Sequence, residues 1–220
     1  MRWFRERVFY VVAWVFCRIV LTLYNRMTVH GLKEALGHRG PVIIAANHCS
    51  NLDPIVVGCA SPRRLRYLAK SSLFEVPFLG RIIRWLGAIP ARREESAGAA
   101  SALKTLIRLI DSGESVLVFP EGQRSPTGKL QPLEEGAGML AAKTRCVVLP
   151  VFIKGSYDAL PRHRSFYKPS KITVYFGSPF EPEKAAGSES SREIRKAVTK
   201  RLEEELRKLS EKAGVKRDAP

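Results

Sequence analysis

Val42-Ile43-Ile44-Ala45-Ala46-Asn47-His48-Cys49-Ser50-Asn51-Leu52-Asp53-Pro54 runs from an apolar segment into a polar turn and on into a helix start. Val42 to Ala46 is apolar and β-branched at its head, which reads as a core strand. Asp53-Pro54 reads as an N-cap followed by a first-turn proline, so a helix opens there. His48 is left at the mouth of the strand, five residues before Asp53. On one continuous helix that separation would swing Asp53 about 140° away from His48. The two can meet only through a turn, and the break between strand and helix supplies it. A histidine with one ring nitrogen held by a carboxylate keeps the other free, which is the geometry of a general base acting on a hydroxyl. His48 and Asp53 are therefore the candidate catalytic pair. The plain alternative is a helix-entry histidine beside a capping aspartate.

Three further stretches follow: GAIPARR from Gly87 to Arg93, FPEGQRS from Phe119 to Ser125, and VLPVFIKG from Val148 to Gly155. FPEGQRS places Glu121, Gly122, Arg124 and Ser125 in one tight loop. Gly122 lets the backbone approach a ligand closely. Arg124 offers a planar fork that matches phosphate oxygens. Glu121 carries charge after an apolar strand, so it needs a partner or a role. Taken alone, this loop reads as a surface turn with a Glu–Arg pair, and VLPVFIKG as an ordinary core strand.

Together with NHCSNLD, and in this order, these stretches closely resemble the four sequence blocks of the glycerolipid acyltransferases, most nearly the 1-acylglycerol-3-phosphate acyltransferases. The resemblance covers Val42 to Gly155. It implies direct acyl transfer. His48 takes the proton from the free hydroxyl of a lysophosphatidate, and the oxygen attacks the thioester carbonyl of acyl-CoA or acyl carrier protein. Asp53 orients His48 and stabilises the imidazolium that forms. Substrate-binding roles are implied for Arg93, Glu121, Gly122, Arg124 and Ser125, with Arg93, the final arginine of its block, on the acceptor's phosphate. Pro150 is expected to shape the acyl-side wall. Backbone N–H groups near Gly122 are expected to hold the developing oxyanion. No residue becomes acylated, and neither a metal nor a cofactor beyond the thioester co-substrate is implied. Arg92 stands where many members of the family carry an acidic residue, and Gln123 where they usually carry threonine.

The chain has 37 Lys and Arg against 21 Asp and Glu, a net charge of +16 with a pI near 10.1. Such a field favours anionic partners: phospholipid headgroups, phosphorylated small molecules, acidic proteins or nucleic acid. A nucleic-acid-binding protein should show a recognisable module, and neither a helix–turn–helix nor an aromatic stacking sheet is legible. A serine hydrolase is disfavoured too, because no G-x-S-x-G elbow occurs. Cys17, Cys49, Cys59 and Cys146 show no paired or zinc spacing and read as reduced thiols. Cys49 adjoins His48, but neighbours on an extended backbone point apart, so it is not read as a nucleophile.

The N-terminus alternates basic and apolar residues. Arg18 interrupts the apolar run and no small-x-small cleavage site follows, so it does not read as a signal peptide. On a helix, Arg7, Arg18 and Asn25 fall within about 20° of one line. The expectation is a helix over residues 1–30 lying in a membrane interface with that thin polar stripe toward water. Two alternatives stay open: a single span with a snorkelling Arg18, and a helix buried in the core. The implied location is the cytoplasmic face of a membrane, monotopic or peripheral, against an anionic lipid surface.

Strands are predicted over 42–46, over RLRYLAK ending at Lys70, in AIPAR, in SVLVF, in CVVLPVFIK and over 171–177. Helices are predicted over 54–60, 77–86, 96–110, 136–144 and 188–210. Pro90 places AIPAR at an edge or bulge. The alternation predicts a single α/β domain over 31–185, a mixed sheet flanked by helices, followed by a surface helix and basic tail over 186–220. In such sheets ligands gather where loops leave the strand ends.

Overall fold

A computed structural model describes residues 2–91, 97–164, 166–187 and 190–215, apart from the side chains of residues 2–7 and 97. Helix α1 (Arg2–Tyr24) leads to β1 (Thr28–His30), the short α2 (Leu32–Leu36) and β2 (Val42–Ala46). Then come α3 (Asp53–Ala60), β3 (Leu65–Lys70), α4 (Leu79–Trp85), β4 (Ala88–Ala91), α5 (Ala97–Asp111) and β5 (Ser115–Val118). The chain continues through α6 (Gly136–Thr144), β6 (Val147–Lys154), α7 (Ser156–Ala159), β7 (Thr173–Phe176), α8 (Pro182–Ala186) and α9 (Ser191–Lys212).

Among the described residues the strands form one seven-stranded sheet, in the order β1-β7-β6-β2-β5-β3-β4. β2 lies parallel to both β5 and β6, and β3 lies parallel to β5 and β4. β7 runs antiparallel to β6 and carries β1 parallel to itself, so the sheet is mixed, as expected. β2 explains why VIIAA has no polar position. Val42, Ile44 and Ala46 enter the core packed by α1, α3 and α4, while Ile43 and Ala45 enter the one packed by α5, α6 and α9. Alternate residues point to opposite faces, and both faces are covered, so every position must be apolar. β4, with Pro90, is an edge strand of this sheet, and β1 forms the other edge.

The predicted strands and helices are present, with ends displaced by a few residues. α9, for example, spans Ser191–Lys212 with Ser190 at its N-cap. The segment 31–41, for which neither a strand nor a helix is predicted, contains α2, and β1 lies just before it. A three-residue strand and a one-turn helix are too short for periodicity to reveal.

α1 differs from the expectation in the direction of its polar stripe. Arg18 Nη1 donates to the carbonyl of Cys59 at 2.7 Å, and the buried Asn25 donates through Nδ2 to the carbonyl of Ser170 at 3.0 Å. Trp14 Nε1 donates to the carbonyl of Gly58 at 3.1 Å. Arg18 and Asn25 therefore face the protein, not water, while the Arg7 side chain lies outside the described residues. Two of the acceptors are last-turn carbonyls of α3, which have no partner within their own helix. Val12, Phe16, Ile19 and Leu23 are exposed on the opposite side. Among the described residues no helix is long and apolar enough to cross a membrane.

Candidate active site

His48 leaves the C-terminal end of β2, at the middle of the sheet, with β5 and β6 on either side. Asp53 opens α3 but makes no side-chain cap to its own helix; Leu52 occupies the N-cap position. Its carboxylate turns back into the preceding loop. Oδ2 accepts the N–H of Cys49 at 2.6 Å and of Ser50 at 2.7 Å, and lies 2.9 Å from His48 Nδ1. A carboxylate already accepting two N–H groups must also accept from the imidazole, so Nδ1 carries the proton. Nε2 is then an acceptor, with no hydrogen-bond partner among the described residues. Asp53 is fully buried, while 11% of the His48 side chain is exposed, so the acid is sealed and the ring reaches the surface.

The FPEG loop follows β5 and grips the same turn. Glu121 Oε1 accepts the His48 N–H at 2.6 Å, and the Ser125 N–H donates to the His48 carbonyl at 2.7 Å. The backbone of His48 is thus clamped on both sides. Glu121 Oε2 accepts the Gln131 N–H at 2.9 Å, and the residue is only 3% exposed. Both oxygens serve the loop, so Glu121 braces the histidine. Ser125 is buried, and its hydroxyl lies 3.4 Å from Gln131 Nε2, which makes it a brace as well. The Gly122 N–H is taken by the Phe119 carbonyl at 3.1 Å, so it is not an available oxyanion donor. Glycine is favoured at 122 because φ is +70° there, in the left-handed region. Arg124 is half-buried beside this loop. Pro150 sits inside β6, buried and in register with Ala45. Arg93 lies outside the described residues. β4, which leads toward it, ends at the same end of the sheet as β2, three strands away.

Four supporting residues were not singled out from the sequence. Phe119 stacks on the His48 ring with centroids 3.9 Å apart and planes 16° from parallel. Gln131 offers its backbone N–H to Glu121. Asn47 is buried and continues the pairing of β2 with β6 by side chain: Oδ1 accepts from Ile153 N at 2.7 Å, and Nδ2 donates to Ile153 O at 3.1 Å. Ser50 Oγ donates to the carbonyl of Leu160 at 2.7 Å, tying the turn to the segment after α7. The available signal was a run of hydrogen-bonding side chains, Asn47, His48 and Ser50, straight after a core strand, where buried polar groups must find partners.

Burial raises the Glu121 carboxyl to about 7, against the lowering effect of the His48 and Gln131 N–H groups. Burial, with the Asp53 and Glu121 carboxylates nearby, also pushes the Cys49 thiol up, away from the thiolate a nucleophile needs. Among the described residues, no group of three or more His, Cys, Asp or Glu is placed to hold a metal ion. The Glu121 shift yields a stability prediction. In the folded protein this group holds its proton to higher pH than in the unfolded chain, whose value is near 4.5. The native state therefore binds more protons between those values, and stability falls as pH rises through that window. Compared with Glu121→Gln, the parent should lose thermal stability progressively from about pH 4.5 to about pH 7 and show no further difference above it. Melting curves of both proteins across that range test this. Parallel curves would mean that folding does not raise the Glu121 carboxyl.

The assembled site can take a proton from a hydroxyl at Nε2 while the charge that results on the ring is met by Asp53. The family model described as Acyltransferase matches residues 26–154. A chloroplastic 1-acyl-sn-glycerol-3-phosphate acyltransferase of Brassica napus is 28% identical over 158 residues, 72% of this chain and 46% of the relative. One of the same description from Arabidopsis thaliana is 27% identical, with 44% of its length covered. The chain thus spans less than half the length of these chloroplastic relatives. A 1-acyl-sn-glycerol-3-phosphate acyltransferase of Bacillus subtilis is 28% identical over 89% of this chain and 94% of its own length. Among solved structures, the 1-acyl-sn-glycerophosphate (LPA) acyltransferase PlsC from Thermotoga maritima superposes with a TM-score of 0.79 at 27% identity. That superposition covers 100% of this chain and 85% of that one.

Proposed function

Because the chain belongs to the Acyltransferase family, we propose that it moves a fatty acyl group from acyl-CoA or an acyl carrier protein to the free hydroxyl of 1-acylglycerol 3-phosphate, giving phosphatidic acid. The observation that carries this reading is the buried Asp53 holding His48 Nδ1 at 2.9 Å, with Nε2 left as the acceptor. His48 Nε2 takes the hydroxyl proton as the oxygen bonds to the thioester carbonyl carbon. The carbon–sulfur bond then breaks, and the proton passes to the departing sulfur, so the enzyme returns to its starting state. Asp53 offsets the imidazolium charge between those two transfers.

Arg93 binds the acceptor's phosphate, and Arg124 lies beside the loop that holds His48. The cationic surface, +16 overall, draws the anionic acceptor and donor toward it. The outward apolar face of α1 lies in the membrane interface where the lipid acceptor resides, on the cytoplasmic side.

The test is purified protein in detergent with one acyl-CoA and a panel of acceptors: lysophosphatidate, glycerol 3-phosphate and other lysophospholipids. Transfer to lysophosphatidate well above the rest is the expected result. Preference for glycerol 3-phosphate would keep the chemistry and replace the acceptor. Thioester cleavage that proceeds as fast without any acceptor would make the protein a hydrolase. Arg93→Ala is expected chiefly to raise the acceptor's KM with kcat little changed, because a phosphate contact present before and during reaction acts as uniform binding. A defect confined to the thioester would place Arg93 on the donor.

A further inference from the structure

The loop between α7 and β7 is not used by the chemistry above. Arg162, Arg164, Lys168 and Lys171 are all exposed there. Between them stands Phe166, 81% exposed, the most exposed large apolar side chain among the described residues. Singly exposed apolar residues need no explanation. This one is held in place by its neighbour. Tyr167 turns inward, packs against Tyr24 with ring centroids 5.0 Å apart and planes tilted by 48°, and donates its hydroxyl to Asn25 Oδ1. The Lys168 N–H donates to the Ala159 carbonyl at 2.9 Å. Phe166 is thereby presented next to the C-terminal end of α1, where Leu23 is 76% exposed.

The location is informative. Pro161, at the head of the loop, forms a β-bridge with Ser50, two residues from His48. Thr173, just past its end, pairs with Lys154 at the C-terminal end of β6. The loop thus leaves the same end of the sheet as His48. Phe78, 77% exposed at a φ of +63°, also emerges at that end, between β3 and α4.

We propose that Phe166 and the cations around it form a second membrane contact, separate from α1, that seats the catalytic end of the sheet against an anionic bilayer. Phe166 enters the interfacial layer, continuing the apolar face of α1, while Arg162, Arg164, Lys168 and Lys171 lie among lipid phosphates. An exposed aromatic ring among cations suits a lipid surface, where apolar and anionic layers adjoin. The inference rests on the reading of the acceptor as a membrane lipid.

The experiment uses the full chain carrying Phe166→Cys labelled with an environment-sensitive fluorophore. Cys17, Cys49, Cys59 and Cys146 are buried, so the introduced thiol is the accessible one among the described residues. Vesicles of phosphatidylcholine are compared with vesicles containing phosphatidylglycerol. The expected result is a several-fold rise in emission on the anionic vesicles. In the unlabelled protein, replacing Arg162, Arg164 and Lys168 by alanine should weaken vesicle binding by about fivefold per cation removed. Emission that stays flat while the protein sediments with the vesicles would show that α1 docks alone, and would overturn the proposal. So would a response to an acidic carrier protein but not to vesicles, or no vesicle binding at all. The binding measurement requires no turnover. Loop insertion with no acyl transfer would therefore remove the proposed activity and leave the docking surface standing.

Discussion

His48→Ala is expected to reduce acyl transfer by ~10²–10⁴, the usual contribution of a positioned general base. The protein should nevertheless remain folded. The imidazole's one side-chain hydrogen bond among the described residues is to Asp53, and Asp53 Oδ2 still accepts from Cys49 and Ser50 when the ring is gone. The main chain at residue 48 keeps its two clamps to Glu121 and Ser125. What is lost structurally is the stacking on Phe119, a contact worth roughly 0.5–1.5 kcal/mol. Labelled acyl transfer and thermal unfolding on the same preparation separate the effects. Turnover like that of the parent would remove His48 as the base. A collapse of the melting temperature would mean that the loss of activity reports unfolding.

Asp53→Ala should damage both properties. Activity falls because Nδ1 loses the acceptor that sets the tautomer, and the imidazolium loses its counter-charge. Stability falls because the buried Cys49 and Ser50 N–H groups lose a charged acceptor. Hydrogen bonds to charged groups contribute about 1.5–3 kcal/mol each, so two of them predict a loss of at least ~3 kcal/mol. Asp53→Asn is the informative companion. Its amide oxygen can still accept from the loop, so it should recover much of the stability while the charge, and with it transfer, stays lost. Chemical denaturation with the midpoint and slope read separately distinguishes the variants. An alanine variant as stable as the parent would mean that the loop does not depend on this carboxylate.

These two variants also mark how far the site could be read from residues alone. The meeting of His48 with Asp53 was legible because their spacing forbids it on a helix and Pro54 marks where the helix begins. The alternation of elements announced a sheet with helices on both faces, and Pro90 announced an edge. Glu121 was recognised as needing a partner, but its partner was not recognisable. Its bonds run to the backbones of residues 48 and 131, and a backbone N–H has no signature in composition or pattern. The same holds for Asn47, whose side chain copies a strand-pairing pattern against Ile153.

By itself, the sequence determined the strand–turn–helix that brings an imidazole to a carboxylate, because local sterics, caps and hydrophobic period are properties of neighbouring residues. Only the tertiary structure decided which way each polar side chain turned. Arg18 and Asn25 mark one line on α1 in either case; that the line faces inward follows from the carbonyls of Cys59 and Ser170, contributed by distant segments. A buried carbonyl without a partner costs more than an exposed apolar stripe, and that balance exists only once the elements have packed.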